Sequence, residues 1–193
     1  MIFKSYLIEK DFKLINSNIT LFYGENLGLQ NDFKVMIKLE NSETLIVNFE
    51  QDHAIKQTEL FLNEVFNLSL FEKTKIFIIN NVDDKILSII QQIEKKIDNQ
   101  KIYLFSGILD KKSKLRNYIE KSDNFATVPC YLDNEMSLKN IILNKLNGFK
   151  GLSTENLNLI IQNCNLSRVK LNNELDKIKV YFKDKILDKE NLI

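Results

Sequence analysis

The chain of 193 residues is long enough for one large domain, or for a medium domain with a small one beside it. Lys plus Arg number 27 against 26 Asp plus Glu, so no overall field favours nucleic acid, and an apolar content of 44% is ordinary for a globular protein. Arg116 and Arg168 are the only arginines, which leaves at most two candidates for an arginine finger or a bidentate phosphate clamp.

Along the chain, short apolar runs alternate with longer amphipathic ones. Ile19-Thr20-Leu21-Phe22-Tyr23, ending at Gly24, predicts a buried strand, and Thr44 to Phe49 predicts a second. Between them Phe33, Ile37 and Leu39 suggest a short helix, and Ile55, Phe61, Leu62 and Val65 fit another. Lys75-Ile76-Phe77-Ile78-Ile79 is the clearest strand. Asp83 and Asp84 then open a helix carrying Ile86, Ile89, Ile90, Ile93 and Ile97, with acidic residues in the first turn, where they suit the dipole. Ile102 to Phe105 gives a fourth strand, Ser113 to Lys121 a basic helix, and Phe125 to Val128 a fifth strand closed by Pro129. Strands apolar on both faces and separated by helices imply a parallel sheet covered on both sides, an α/β three-layer sandwich.

After Tyr131 the strand signal stops. Asp133 can cap a helix with Met136, Ile141, Ile142 and Leu146; Ser153 can cap a second with Leu157, Ile160, Ile161 and Cys164; Leu171, Leu175, Ile178 and Phe182 stripe a third. The expected organisation is therefore an α/β domain over 1–132 and a small three-helix domain over 133–193. Asp188-Lys189-Glu190-Asn191 reads as a helix start two apolar residues before the end, as in a fragment of a longer chain.

Other chemistry is sparse. Cys130 and Cys164 have no nearby Cys or His to complete a metal set, so both read as buried, reduced thiols and no metal site is expected. His53, the only histidine, reads as a capping or loop-lining residue, and its neighbour Asp52 does not make it half of a catalytic pair, because sequence neighbours rarely converge. Met1 to Ser5 carries no signal-peptide pattern and no apolar run approaches a membrane span, so a soluble, cytoplasmic protein is expected.

A parallel sheet with a helical lid is the plan of many ATPases, whose phosphate loop G-x-x-x-x-G-K-[ST] follows the first strand. Here the chain reads Gly24-Glu25-Asn26-Leu27-Gly28-Leu29-Gln30. The glycines are too close together, Leu29 and Gln30 offer neither ammonium nor magnesium-binding hydroxyl, and Glu25 would repel phosphate. The acidic pair that should end a buried strand is Asn80-Asn81 instead. The two losses together predict a degenerate nucleotide site at Gly24, Gly28, Asn80 and Asn81, with no bound nucleotide cofactor and no catalytic residue.

Two segments remain. The run Asp110-Lys111-Lys112-Ser113-Lys114-Leu115-Arg116 concentrates positive charge at a helix start on the carboxyl rim of the sheet; it reads as a solvated face or as a backbone contact for nucleic acid through Lys111, Lys112, Lys114 and Arg116. Asn67-Leu68-Ser69-Leu70-Phe71 puts three large apolar residues in a connection, either tucked under the sheet or exposed as an anchor for a partner pocket.

These segments resemble the delta subunit of the bacterial DNA polymerase III clamp loader. The match comprises Leu21 to Glu25 with Gly28-Leu29, Leu68 to Phe71, Leu109 to Arg116, and Pro129-Cys130-Tyr131, in order over nearly the whole chain. The resemblance implies an AAA+-like fold without a working nucleotide site, followed by a lid and a collar, the collar lying outside this sequence. It implies a replication role in which Leu70 and Phe71, with Leu68 beside them, dock into the sliding clamp (the beta subunit) and help open the ring. Asn67 departs from the glutamine of some relatives. Other clamp-loader subunits, and primer–template DNA through the complex, are the further partners implied; no polymerase chemistry of its own is expected. Burying such a Leu and Phe is worth about 1.5–3 kcal/mol each. The competing readings are another clamp-loader-type AAA+ subunit, for which no cysteine-rich metal spacing or intact phosphate loop is present, and a nucleic-acid-binding module using the helices after Ser153, where Ser167 to Lys170 starts a basic turn.

Overall fold

The computed structural model describes residues 1–67, 74–188 and 190. A helix, α1 (Ser5–Lys10), and a single 3₁₀ turn at Phe12–Leu14 precede the first strand, β1 (Ile19–Tyr23). There follow α2 (Leu27–Glu40), β2 (Leu45–Glu50), α3 (Gln51–Lys56), α4 (Thr58–Phe66) and β3 (Lys75–Asn80). After a 3₁₀ turn at Asp84–Ile86 come α5 (Leu87–Glu94), β4 (Lys101–Ser106), α6 (Lys114–Lys121) and β5 (Ala126–Pro129). Three helices close the chain: α7 (Glu135–Lys145), α8 (Thr154–Cys164) and α9 (Arg168–Tyr181).

The five strands form one all-parallel sheet in the order β2-β3-β4-β1-β5. Every residue of β1 is buried, and so is all of β3 up to Asn80, as expected of strands covered on both faces. β2 lies at an edge and is only half-buried. On one face Leu21, Phe77, Ile79 and Leu104 pack against Phe61 and Val65 of α4, Ile89, Ile90 and Ile93 of α5, and Leu115 and Ile119 of α6. On the other, Phe22 stacks on Phe105 at 4.8 Å and meets Phe33 of α2 at 5.0 Å, while Phe12 meets Tyr103 at 6.0 Å. This is the expected AAA+-like three-layer α/β sandwich.

Two compact units divide the chain, one comprising Met1–Glu25 with Gln30–Cys130, the other Asn26–Leu29 with Tyr131–Ile193. The second has its own core, in which Leu138, Ile142, Leu157, Ile160, Leu171, Leu175 and Ile178 close the three-helix cluster.

Local expectations are corrected in four places. The helix after β1 is longer than its apolar spacing suggested, because Asn26 Oδ1 accepts the Leu29 amide at 3.0 Å and starts it within the glycine turn. The single helix expected over Ile55–Val65 is two, broken at Gln57. Asp83 and Asp84 open a 3₁₀ turn before α5, which ends short of Ile97. Asn134, rather than Asp133, caps α7 in a reciprocal box with Ser137.

Candidate functional site

Gly24 follows β1 with φ +139, a conformation open to glycine, and a Cβ there would lie 2.3 Å from the Cys130 carbonyl oxygen. Its amide donates to the Gly107 carbonyl at 2.9 Å, and the Cys130 amide donates to Tyr23 at 2.7 Å, so the ends of three neighbouring strands are laced by backbone. Gln30, 4% exposed, completes the lacing: Nε2 donates to the Gly24 carbonyl at 3.1 Å and to the Ser106 carbonyl at 2.8 Å. A phosphate loop would present an ammonium or hydroxyl to a ligand hereabouts. This chain spends an amide on its own backbone.

The position after β3 is also taken up internally. Asn80 Nδ2 reaches the Phe49 carbonyl at 3.5 Å, while its buried Oδ1 has no partner among the described residues. Asn81, in the left-handed region at φ +55, donates to Glu50 Oε2 at 2.8 Å. Beyond them Gln51 and Asp83 bond reciprocally at 2.9 and 2.7 Å, and Ser106 Oγ donates to the Val82 carbonyl at 2.6 Å. Asp83 is thereby held in a structural role.

In the second unit the rest of the glycine turn meets Arg168. A Cβ on Gly28 would lie 2.7 Å from Arg168 Cβ, so the glycine leaves room for the arginine's stem. Arg168 donates from Nε to Asp133 Oδ2 and from Nη2 to Oδ1, both at 2.8 Å, with the two side chains 2% and 5% exposed. Asn26 Nδ2 adds a bond to Oδ2 at 2.7 Å, and Ser137 Oγ one to Oδ1 at 2.8 Å. Burial alone would raise the Asp133 pKa; the fork and charge of Arg168, with Asn26 and Ser137, more than offset it and hold the carboxyl below the usual range. Sequence reasoning missed this pair. Ser167 to Lys170, read as a basic turn, instead begins α9 with its arginine buried.

The basic segment divides in two. Lys111, Lys112 and Lys114 are exposed. Arg116 folds inward: Nε pairs with Glu120 Oε1 at 2.9 Å, Nη1 donates to the Leu109 carbonyl at 3.0 Å, and the guanidinium lies 4.8 Å from the Tyr23 ring centre. The Tyr23 hydroxyl donates to the same Glu120 oxygen at 2.9 Å.

Leu68, Leu70 and Phe71, the expected clamp anchors, lie outside the described residues. Leu62 and Phe66 of α4 line a cavity of about 460 Å³ with Gln92, Lys95 and Lys96. Both cysteines are buried and neither forms a disulfide, and His53 is exposed in α3, 3.1 Å from Gln57 Oε1. Among the described residues no group of three or more His, Cys, Asp or Glu is placed to hold a metal ion, and no helix is long and apolar enough to cross a membrane.

The five-stranded parallel sheet and its helical cover give the chain an AAA+-like α/β fold. Among solved structures it is similar to the DNA clamp loader delta protein (YqeN) of Bacillus subtilis, with 14% identity and a TM-score of 0.60, over 95% of this chain and 58% of that one. The chain thus spans little more than half of that protein's length. A structure titled "Structural Basis for Katanin Self-Assembly" matches with 14% identity and a TM-score of 0.43, over 75% of this chain and 52% of its own. No protein-family model and no curated protein matches the sequence.

Proposed function

We propose that this chain is a non-catalytic, clamp-loader-type subunit that binds a sliding clamp during DNA replication and helps to open it. The observation that carries the reading is the phosphate turn itself: Gln30 is bonded to the backbone and Arg168 to Asp133, in a fold shared with a clamp loader delta protein. A turn committed in this way favours a role exercised through partner contacts over nucleotide turnover. In this reading residues 1–132 form the AAA+-like domain and 133–193 its lid, working with other clamp-loader subunits of a DNA polymerase III assembly in the cytoplasm. Leu70 and Phe71, with Leu68, are the anchors for the clamp, and Lys111, Lys112 and Lys114 the face for primer–template DNA or a neighbouring subunit. Opening a ring requires only that the subunit bind the opened interface more tightly than the closed one.

The test is binding of the purified chain to a purified sliding clamp by surface plasmon resonance, repeated with the double variant L70A/F71A. The variant is expected to lose clamp binding and keep its melting temperature, since truncating the same pair in a core would cost roughly 2–5 kcal/mol each. A parent chain that ignores the clamp, or a variant that binds as tightly as the parent, overturns the reading.

A further inference from the structure

We propose that the Asp133 carboxylate is a built-in anion, seated on a phosphate-type receptor formed by Arg168, Asn26 and Ser137, so that this chain carries permanently an occupant that phosphate turns ordinarily take from solution. The receptor is chemically complete. A planar guanidinium grips both oxygens at 2.8 Å, an amide donates to one at 2.7 Å and a hydroxyl to the other at 2.8 Å. Four donors converging on one buried anion, two of them from a bidentate arginine, is how proteins recognise phosphate oxygens. One donor residue, Asn26, is also the cap of α2 in the turn after β1, where anions bind in phosphate-loop folds.

The surroundings support the same assignment. Gly28 has no side chain where one would strike the Arg168 stem at 2.7 Å, so the turn is shaped around the arginine. Both partners are more than nine-tenths buried, and the carboxyl stays ionised despite that burial. The occupant is supplied by the chain 35 residues away from its arginine, which makes the receptor full at any nucleotide concentration.

It follows that removing the carboxylate should uncover an anion site that the parent does not display. The experiment is thermal unfolding of the full chain and of D133A, titrated with inorganic phosphate and, separately, pyrophosphate against sodium chloride at matched ionic strength. Phosphate stabilises folded proteins generally by exclusion from their surface, and the parent measures that background. D133A should melt lower than the parent in chloride and recover saturably with phosphate, by roughly 5–10 °C once phosphate stands a hundredfold above its Kd. D133A combined with R168A should show only the background. Recovery no larger than the parent's, saturable binding by the parent, or equal recovery without Arg168 would each overturn the proposal. If D133A does not fold in chloride, D133N is titrated identically. Phosphate-dependent folding of either variant supports the built-in anion, and its absence from both refutes it.

Discussion

The Asp84 carboxylate accepts the Ser113 hydroxyl at 2.6 Å, and with it the Lys114 and Leu115 amides at 3.0 and 2.9 Å. One exposed side chain from the turn after β3 thus caps the start of α6. The Ser113 hydroxyl in turn accepts the Arg116 amide at 3.2 Å. These bonds, that from Ser113 first, hold the Asp84 carboxyl below its ordinary value of 3.8. A depressed carboxyl contributes stability above its unfolded-state pKa and loses it as the pH falls through the folded value. D84N should therefore be less stable than the parent near neutrality, by about 1 kcal/mol as for a lost helix cap. The gap should stay constant down to about pH 5 and close below about pH 4. Urea melts across this range measure it; a gap that widens on acidification would contradict the assignment.

Gln30 and Gly24 make a paired prediction about the turn. Q30A leaves the Ser106 carbonyl without its amide donor in a buried place and should cost about 1–3 kcal/mol. G24A must place a Cβ 2.3 Å from the Cys130 carbonyl at a glycine-only φ, and should cost at least about 1–3 kcal/mol. Chemical denaturation of the two variants decides this, and parent-like midpoints would show that the lacing is incidental.

Two tyrosines should stand apart in an alkaline titration. Hydrogen bonding to Glu94, with some burial, pushes Tyr118 up to about 12, and burial pushes Tyr103 to about 12. Ultraviolet absorbance should show these two ionising well after ordinary tyrosines. Raised folded values contribute stability below pH 10 that is lost as the pH rises through 12, so Y118F should flatten part of the alkaline decline.

Calorimetry with ATP and Mg²⁺ is expected to give no binding heat at micromolar protein, and phosphate release no turnover. The expectation rests on Leu29 and Gln30 in the turn and on Asn80 and Asn81 after β3, all spent on internal contacts or lacking the needed groups. Micromolar affinity would refute it.

The sheet was legible because β1, β3 and β4 are apolar on both faces, as strands of a parallel sheet covered on both sides are, and helical patterns separate them. The departure of the turn after β1 from a phosphate loop shows in the letters alone, because such a loop is a spacing rule. α1 was not, since Ile8 is its one buried residue and a six-residue helix leaves no stripe. Nor was the break at Gln57, which neither glycine nor proline marks. Asp133 illustrates the deeper obstacle. A carboxylate just before an apolar run reads as a helix cap from local rules, and only the fold brings Arg168 to it and hands the cap to Asn134.

With Arg168 given to Asp133 and Arg116 laid against Tyr23 and Glu120, neither guanidinium side chain is more than 18% exposed. Solvent-facing positive charge along the basic rim therefore belongs to lysine, a strongly hydrated point charge without the fork that reads a guanine edge. If Lys111, Lys112 and Lys114 all sat on duplex phosphates, the log–log slope of affinity on salt would be about −2.7, a loss of roughly fortyfold between 50 and 200 mM. Such a grip is quick to form, blind to base sequence and easily shed. Under the proposed function, it would suit a brief rather than a lasting contact with primer–template DNA.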